Sequence, residues 1–455
     1  MRGKPIVGAA VAVAGLLAVL AGPAAATGGT PPCPGADRLR VPGAERQLVT
    51  CLDDLTTPGL VAAGRTNPAD WAGLHAAGTV NPTGVPGVQV DGYFPDGSTG
   101  NTNNGWNHDA QFVLRLPDRW NGKLVVTGAP GVRRQYANDF VIGDWVLARG
   151  YAFAATDKGN VGATFYRDGT RPGDAIAEWH RRVAQLAAAA KLAVARRYGR
   201  PPARTYATGL SNGGYLVRWQ LERYPWLYDG GVDWEGTLFR AEGPNLLTFL
   251  PPVLRHYPAW RDTGSQAAHD AIIAAGFAPG SEFLWDFHYN VYWDLTQRIY
   301  REELDPGWDG ALEAGVPFCR PGTPNCDADY DYASRPAAVK QAVARVSPTG
   351  RLGRPMLTLH GTLDSLLPPA VQSDVYARLV ERAGRGARHR YYRVEDGNHV
   401  DSLYDLYPDR LRPILPCYRA AFEALEGWVE RAQPPPASGL IPRPAGDPVN
   451  GCALP

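Results

Sequence analysis

Apolar and polar positions follow two periods along most of the chain. Short runs of alternating or continuous apolar residues are typical of β-strands, and longer runs with apolar positions every three or four residues are typical of α-helices. The strand-type runs are residues 87–94, 111–116, 123–127, 151–156, 204–208, 230–234, 355–361 and 390–394. The helix-type runs are residues 139–149, 174–198, 215–223, 369–384 and 417–431. Strands that alternate with helices predict an α/β fold with a mostly parallel, doubly wound sheet.

Interruptions of the alternation between strands and helices divide the chain into parts. Residues 86–234 and 346–432 are predicted as the two parts of one core, and residues 235–345 as a cap inserted between them. The aromatic residues at 285–308 either line a substrate pocket or form the core of the cap, and the pattern leaves both readings open. The remaining parts are a signal peptide at 1–26, an irregular N-terminal segment at 27–85 and a Pro-rich tail at 433–455.

The first 26 residues have the pattern of an export signal. Arg2 and Lys4 supply the positive end, an apolar run follows at 7–21, and residues 24–26 offer a small-residue cleavage site. We expect cleavage after Ala26 and a secreted, extracellular protein, with a transmembrane anchor as the alternative. No later stretch has 18 uninterrupted apolar residues, so no membrane partner is expected after cleavage.

The charge balance argues against nucleic acid as a partner. Removal of Arg2 and Lys4 lowers the number of basic residues from 46 to 44 against 45 acidic residues, which gives a net charge of −1. The chain has no basic tail or run of basic residues, which a nucleic-acid surface would require.

Six cysteines lie beyond the predicted signal, and an even number in an exported chain indicates disulfides. Six cysteines allow 15 connectivities. Pairing between neighbours in sequence suggests Cys33–Cys51, Cys319–Cys326 and Cys417–Cys452, although spacing alone does not establish it. No two cysteines have the Cys-x-x-Cys spacing, so we expect neither a zinc nor a redox site.

The strongest chemical signal is the Gly-x-Ser-x-Gly motif at residues 209–213, centred on Ser211. A strand-type run precedes it and a helix-type run follows it. This is the context of a nucleophile elbow, in which the serine lies on a strained turn at the end of a strand. Small residues two positions before and after Ser211 let the backbone turn without a Cβ clash.

A serine nucleophile needs a base to take its proton and a carboxylate to orient that base. In α/β-hydrolases the chain order is serine, acid, histidine. Asp364 and His399 each follow a predicted strand, and the carboxyl ends of parallel strands share one edge of a sheet. We therefore predict Ser211 as nucleophile, His399 as base and Asp364 as acid.

Other residues compete for these roles. Asp233 and Glu235 follow the preceding strand, where some hydrolases carry their acid, and they are the rival acids. Beyond Asp364 the other histidine is His389, which lies before the last strand and is the poorer candidate. His360 is expected to hold the loop around Asp364 in place.

Attack on an ester carbonyl creates an oxyanion that needs preorganised N–H donors. One donor in a nucleophile elbow is the amide of the residue after the serine, here Asn212. The other comes from the loop at 128–131. Pro130 has no N–H, so we predict Ala129, with Gly131 as the second choice.

An acidic cluster that could in principle bind calcium is formed by Asp327, Asp329 and Asp331. The cluster lacks the glycine at the sixth position and the glutamate at the twelfth that an EF-hand loop carries. We predict a solvated acidic loop and no metal site. The chemistry of the serine, histidine and aspartate requires no cofactor.

Several segments resemble the tannase and feruloyl esterase family. They are residues 116–124, 128–131, 147–152 and 156–159, together with 359–361 and the positions of Asp364 and His399. The form Ser-Asn-Gly-Gly at 211–214 is similar to that of 3-hydroxybutyrate oligomer hydrolases, which share the fold. The resemblance implies an α/β-hydrolase fold and a carboxylic ester hydrolase.

One departure from that family limits what the resemblance implies. Its tannases and feruloyl esterases carry a bridged pair of cysteines, one just before the serine and one just after the histidine. Leu210 and Val400 occupy these positions here. We therefore predict a secreted serine esterase that forms an acyl-enzyme from an aromatic or hydroxyalkanoate ester, small or oligomeric. The alternatives are a serine amidase or peptidase, and a non-catalytic binding protein on a hydrolase scaffold.

Overall fold

A ten-stranded sheet forms the centre of the molecule in the computed structural model, which describes residues 39–308 and 327–455. The strands are β1 (Arg46–Leu52), β2 (Gly87–Tyr93), β3 (Gln111–Pro117), β4 (Lys123–Gly128), β5 (Ala152–Thr156), β6 (Arg204–Leu210), β7 (Gly230–Trp234), β8 (Met356–Gly361), β9 (His389–Val394) and β10 (Gly439–Ile441). Their order is β1-β2-β3-β5-β4-β6-β7-β8-β9-β10. The strands from β5 to β10 pair in parallel, and β1, β2 and β3 are antiparallel to their neighbours. The predicted α/β architecture with a mostly parallel sheet is confirmed.

Helices cover both faces of this sheet. Those of the core are α1 (Thr57–Ala62), α2 (Pro68–Trp71), α3 (Asp144–Ala148), α4 (Asp174–Tyr198), α5 (Asn212–Arg223), α11 (Ser373–Arg382) and α12 (Leu415–Arg431). Side chains alternate between faces along a strand, and β4 shows the result. Leu124 and Val126 belong to the apolar cluster that contains α4 and α5, whereas Val125 belongs to the cluster that contains α3 and α12.

The segment between β7 and β8 forms a helical cap in its described part. The cap helices are α6 (Leu246–Thr263), α7 (Gln266–Ala274), α8 (Glu282–His288), α9 (Asp294–Leu304) and α10 (Ala337–Arg345). A π-helical turn at Tyr289–Trp293 joins α8 to α9. The aromatic residues Trp285, Tyr289 and Trp293 are buried within this cap. The structure therefore places much of the aromatic run in the core of the cap.

Two parts of the chain contribute more to the sheet than their composition predicted. The N-terminal segment, predicted to be irregular, supplies β1, which pairs along its whole length with β2. The Pro-rich tail supplies β10, which adds to β9 through Gly439–Ile441. The description of 27–85 as irregular is wrong for β1, because pairing with β2 fixes residues whose local pattern is weak.

The predicted bond between Cys417 and Cys452 is confirmed, and it ties the tail to α12. Cys51 on β1 is also disulfide-bonded. Cys33, Cys319 and Cys326 lie outside the described residues, so the pairings Cys33–Cys51 and Cys319–Cys326 stay predictions. The predicted signal peptide also lies outside them. Within the described ranges, no helix has both the length and the apolar character needed to cross a bilayer.

Candidate active site

Ser211 lies on a sharp turn between β6, which ends at Leu210, and α5, which begins at Asn212. Its φ of 59° and ψ of −120° place a residue with a side chain in a region that such residues rarely adopt. This is the strained strand-to-helix turn of a nucleophile elbow. The serine side chain is thereby held above the carboxyl end of the sheet.

The glycines around Ser211 are required by close backbone approach. A Cβ at Gly209 would lie 2.5 Å from the backbone carbon of Gly213, and a Cβ at Gly213 would lie 2.6 Å from the carbonyl oxygen of Gly128. Real Cβ atoms do not approach this closely, so the turn and the contact between α5 and β4 both depend on glycine.

Ser211, His399 and Asp364 form a continuous hydrogen-bonded chain. His399 Nε2 lies 3.0 Å from Ser211 Oγ, and His399 Nδ1 lies 2.8 Å from Asp364 Oδ2. The three residues follow β6, β9 and β8, so the parallel sheet brings them to one edge. Ser211 keeps 9% of its surface exposed and Asp364 keeps 1%, which makes the serine the accessible end of the chain.

Asp364 is held as an ionised acceptor. Burial alone would raise its pKa, but the neighbouring His399 and His360 lower the pKa below its usual value. Its other oxygen accepts hydrogen bonds from the backbone N–H groups of Leu366 and Leu367, each at 2.8 Å. His360 Nε2 lies 3.1 Å from the Asp364 carboxylate and 2.7 Å from the Leu367 carbonyl oxygen, so His360 braces the acid loop.

The rival acid Asp233 is occupied elsewhere. Its carboxylate forms a fully buried ion pair with Arg218, at 2.7 Å from Nε, and accepts a hydrogen bond from Thr358 Oγ1 at 2.9 Å. The pair ties the elbow helix α5 to the sheet. His389 Nε2 lies 2.9 Å from the same hydroxyl group of Thr358, at the start of β9 and away from the carboxyl edge.

The rival acid Glu235 lies next to the triad. Its Oε2 is 3.7 Å from His399 Nδ1, which is too long for a hydrogen bond, and Oε1 accepts one from the Gly361 amide at 2.8 Å. Burial, together with the charge of Asp364, raises the pKa of Glu235 well above its usual value. Glu235 is therefore neutral when Asp364 is ionised, and Asp364 is the carboxylate that pairs with His399.

The structure does not support Ala129 as an oxyanion donor. Its N–H donates to the carbonyl oxygen of Thr156 at 3.0 Å, which extends the β4–β5 ladder by one bond. Gly131, the second choice, has a φ of +51°, and its carbonyl oxygen accepts a hydrogen bond from Asn212 Nδ2 at 2.9 Å. Among the described residues, the backbone N–H groups of Gly131 and Asn212 have no hydrogen-bond acceptor. These two amides are thus the available donors.

The cap contacts the site through two members of the aromatic run at 285–308. Tyr300 on α9 places its hydroxyl 2.5 Å from Asn212 Nδ2, and Trp293 donates from Nε1 to the carbonyl oxygen of Ser365 at 2.7 Å. Helix α9 therefore crosses the region between the elbow and the acid loop. The spacing of the aromatic residues did not predict these two contacts, because a local sequence pattern does not determine how the cap helices dock on the core.

The prediction of a solvated acidic loop at 327–331 is wrong for Asp327, which is fully buried, whereas Asp329 and Asp331 are exposed. Asp327 forms a buried ion pair with Arg301 at 3.0 Å, and the Asp331 side chain accepts a hydrogen bond from the Ala333 amide. A second group of potential metal ligands consists of Glu235, Asp364 and His399. His399 donates from Nδ1 to Asp364 and accepts at Nε2 from the Ser211 hydroxyl, and these two bonds account for the position of its ring.

Two family models match the chain. Residues 98–234 match the model described as tannase and feruloyl esterase, and residues 325–454 match the model described as 3HB-oligomer hydrolase. The first match contains the elbow at Ser211, and the second contains Asp364 and His399.

Curated relatives match over part of their length. The chain is 30% identical over 141 residues to mono(2-hydroxyethyl) terephthalate hydrolase from Piscinibacter sakaiensis, which is 28% of this chain and 23% of that protein. It is 29% identical over 179 residues to a probable feruloyl esterase from Arthroderma benhamiae, which is 36% of this chain and 31% of that protein. The matched regions thus span less than a third of either relative.

A solved structure matches over most of the fold. An esterase from Aspergillus oryzae superposes with a TM-score of 0.50 at 13% identity, over 88% of this chain and 89% of that chain. Together with the sheet topology, this likeness confirms the predicted α/β-hydrolase fold. The chain thus has an α/β-hydrolase fold, and it resembles tannases and feruloyl esterases over residues 98–234 and 3-hydroxybutyrate oligomer hydrolases over residues 325–454, as its sequence predicted.

Proposed function

We propose that this protein hydrolyses carboxylic esters through Ser211, His399 and Asp364. The observation that carries the proposal is the hydrogen-bonded chain from Ser211 Oγ through both nitrogens of His399 to Asp364, with distances of 3.0 Å and 2.8 Å. The resemblance to two families of ester hydrolases supports the same reaction.

In the first half of the reaction, Ser211 Oγ attacks the ester carbonyl carbon while His399 Nε2 takes the serine proton. Asp364 accepts the hydrogen bond from His399 Nδ1–H and stabilises the imidazolium that forms. Its lowered pKa keeps it ionised throughout the neutral range. Glu235 remains protonated and adds no second negative charge beside His399.

The oxyanion of the tetrahedral intermediate accepts hydrogen bonds from the amides of Asn212 and Gly131. The Asn212 side chain positions the second donor, because it binds the Gly131 carbonyl oxygen and fixes the loop. His399 then gives its proton to the leaving alcohol as the carbon–oxygen bond breaks, which leaves an acyl group on Ser211.

Water completes the cycle. His399 takes a proton from water as the water oxygen attacks the acyl carbon, and it returns that proton to Ser211 Oγ as the acid leaves. Every step uses side chains and amides of this chain, and no cofactor takes part.

We propose that the enzyme works in an oxidising compartment outside the cell. The bond between Cys417 and Cys452 and the disulfide at Cys51 support this, because such bonds persist in exported proteins. The substrate class includes aromatic esters and esters of hydroxyalkanoates.

A panel of esters and matched amides tests the proposal. The esters are p-nitrophenyl acyl esters, methyl ferulate, methyl gallate and 3-hydroxybutyrate oligomers. The rate of hydrolysis of each is measured with untreated wild-type enzyme and with wild-type enzyme treated with a fluorophosphonate. Ester turnover that the fluorophosphonate abolishes supports the proposal. Faster cleavage of the matched amides would identify an amidase, and a folded protein with neither turnover nor labelling would be a binding protein.

A further inference from the structure

The side chain of Asn212 joins the elbow, the loop at 128–131 and the cap. Its Nδ2 donates to the carbonyl oxygen of Gly131 at 2.9 Å and to the hydroxyl oxygen of Tyr300 at 2.5 Å. Its Oδ1 accepts a hydrogen bond from Thr237 Oγ1 at 2.9 Å. A carbonyl oxygen only accepts, so Nδ2 is the atom that faces Gly131 and the amide has one orientation. Because Asn212 is 2% exposed, these protein groups hold that orientation.

Gly131 depends on this side chain for the direction of its N–H. Its φ of +51° lies in the left-handed region, and glycine has more backbone freedom than any other residue. Among the described residues, the bond from Asn212 is the one hydrogen bond that the Gly131 backbone makes. The next residue is fixed separately, because the Val132 carbonyl oxygen accepts from the Gly162 amide at 2.8 Å. Asn212 is therefore the group that sets how Gly131 presents its amide to the oxyanion.

Tyr300 brings the cap into this arrangement. The chain is hydrogen-bonded to the core on both sides of this tyrosine. Seven residues before it, Trp293 donates to the Ser365 carbonyl oxygen at 2.7 Å. Three residues after it, Glu303 Oε1 accepts from the Ile176 amide at 3.1 Å. The docking of α9 on the core therefore sets the position of the Tyr300 hydroxyl.

The Tyr300 side chain has the features of a fixed acceptor. It is 4% exposed, and its ring centre lies 5.5 Å from that of Phe165 and 5.8 Å from that of Phe239. Burial raises the pKa of the Tyr300 phenol above its usual value, so the hydroxyl is uncharged throughout the neutral range. Loss of this hydroxyl would leave one N–H of the buried Asn212 amide without its acceptor, which is unfavourable. The amide would then turn towards another partner and release Gly131.

We propose that Tyr300 is a positioning residue for the oxyanion donors: through it, the docked helix α9 holds the Asn212 side chain, which in turn holds Gly131. The inference rests on the proposed ester hydrolysis and adds that turnover depends on the docking of the cap. In this role Tyr300 acts through Asn212 and needs no contact with the ester.

The test measures kcat and KM for p-nitrophenyl acetate with wild type and with Tyr300→Phe, which keeps the ring and removes the hydroxyl. The value of kcat should fall by at least about tenfold, which is less than the roughly 10²- to 10³-fold loss on removing an oxyanion donor outright. KM should stay within about twofold, because the donors stabilise the transition state and not the bound ester. A trifluoromethyl ketone forms an adduct with the serine that carries an oxyanion, so its inhibition constant should rise by the same factor as kcat falls.

Tyr257→Phe is the matched control. Tyr257 lies on the cap helix α6, is 1% exposed, and donates from its hydroxyl to Asp286 Oδ1 at 2.9 Å within the cap. This variant should keep kcat and the inhibition constant within about twofold of wild type, because its lost bond does not reach the site. Equal losses of kcat in Tyr257→Phe and Tyr300→Phe would mark a loosened cap and overturn the positioning role. Thermal melting checks that both variants are folded.

A double variant shows whether Tyr300 acts through Asn212. Asn212→Ala removes the side-chain bonds to Tyr300 and Gly131 but keeps the backbone amide at this position. Addition of Tyr300→Phe to Asn212→Ala should lower kcat no further, because two residues in one chain of contacts do not contribute independently. Losses that multiply would overturn the positioning role.

Two other results would overturn it. One is a kcat of Tyr300→Phe equal to that of wild type, and the other is a higher KM at unchanged kcat, which marks direct contact with the substrate. If Tyr300→Phe does not fold, Tyr300→Leu takes its place with the same expected results. Absence of p-nitrophenyl acetate hydrolysis by wild type rejects the proposed function and the positioning role with it, whereas wild-type turnover with equal kcat in Tyr300→Phe rejects the positioning role alone.

Discussion

At the scale of single residues, two buried carboxyl groups compete for one histidine, and the hydrogen bonds that each receives decide between them. Asp364 receives two backbone N–H groups and the N–H of His399, which together hold it ionised. Glu235 receives one backbone N–H and faces the charge of Asp364, so it keeps its proton. Two carboxylates this close to each other do not both ionise readily.

Substitution of each acid by its amide should separate their roles. Asp364→Asn should lower kcat by about 10⁴-fold, because the amide no longer stabilises the imidazolium or fixes the histidine tautomer. Glu235→Gln resembles the protonated acid and should retain kcat within about threefold at pH 7. Steady-state kinetics on one p-nitrophenyl ester measures both. A loss of activity in Glu235→Gln that matches the loss in Asp364→Asn would assign the acid role to Glu235.

The raised pKa of Glu235 also predicts how stability depends on pH. The unfolded chain releases this proton near the ordinary value of 4.5, whereas the folded protein keeps it to higher pH. The contribution of Glu235 to stability is therefore complete below that value and is lost as the pH rises towards the folded pKa. The variant Glu235→Gln has no proton to release at this position, so its stability does not fall in this way. Its melting temperature should be close to that of wild type at pH 4 and higher than that of wild type at pH 8. A difference in melting temperature that does not change with pH would contradict the assigned protonation state.

At the scale of elements, the turn from β6 to α5 sets the geometry of the site. Its conformation can be predicted from sequence because it depends on a few consecutive residues. The motif at 209–213 predicts a strained serine between a strand and a helix, and Ser211 has the φ of 59° that this requires. The loop at 128–131 could not be predicted in the same way. Whether Ala129 has a free N–H depends on where the β4–β5 pairing ends, and the Ala129 N–H is taken up by the carbonyl oxygen of Thr156.

Gly213→Ala tests the contact between the elbow helix and β4. The added Cβ would lie 2.6 Å from the Gly128 carbonyl oxygen, so α5 must move and carry Ser211 and the Asn212 amide with it. A displacement of about 1 Å at reacting groups costs roughly 10²-fold in rate, and we expect a loss of kcat of that order. Gly97→Ala is the control, because a Cβ there meets open space. Equal kcat values for the two variants would show that the close approach is not required.

At the scale of the whole molecule, residues far apart in sequence meet at one sheet edge and beneath one cap. The alternation of strands and helices was sufficient to predict the parallel core and the placement of Ser211, Asp364 and His399 after their strands. It was not sufficient for β1 and β10, whose pairing partners lie elsewhere in the chain. The position of Tyr300 also depends on how the cap docks, for which no local pattern exists.

The bond between Cys417 and Cys452 should stabilise the molecule without taking part in the reaction. It closes a loop with a sequence separation of 35 and holds the tail that carries β10. The entropy of such a loop corresponds to about 4 kcal/mol of stability. The double variant Cys417→Ala with Cys452→Ala should therefore unfold at lower urea concentration but keep the wild-type kcat at 20 °C. An unchanged urea midpoint would show that the tail is held by β10 and its packing alone.

In the proposed reaction, Ser211 forms the bond to the acyl group. The most direct measurement is the rate of p-nitrophenyl acetate hydrolysis by wild type and by Ser211→Ala, with folding of both checked by circular dichroism. Wild type should hydrolyse the ester, and the variant should show only the uncatalysed background rate. A folded Ser211→Ala protein that keeps the wild-type rate would contradict the role of Ser211 as the nucleophile.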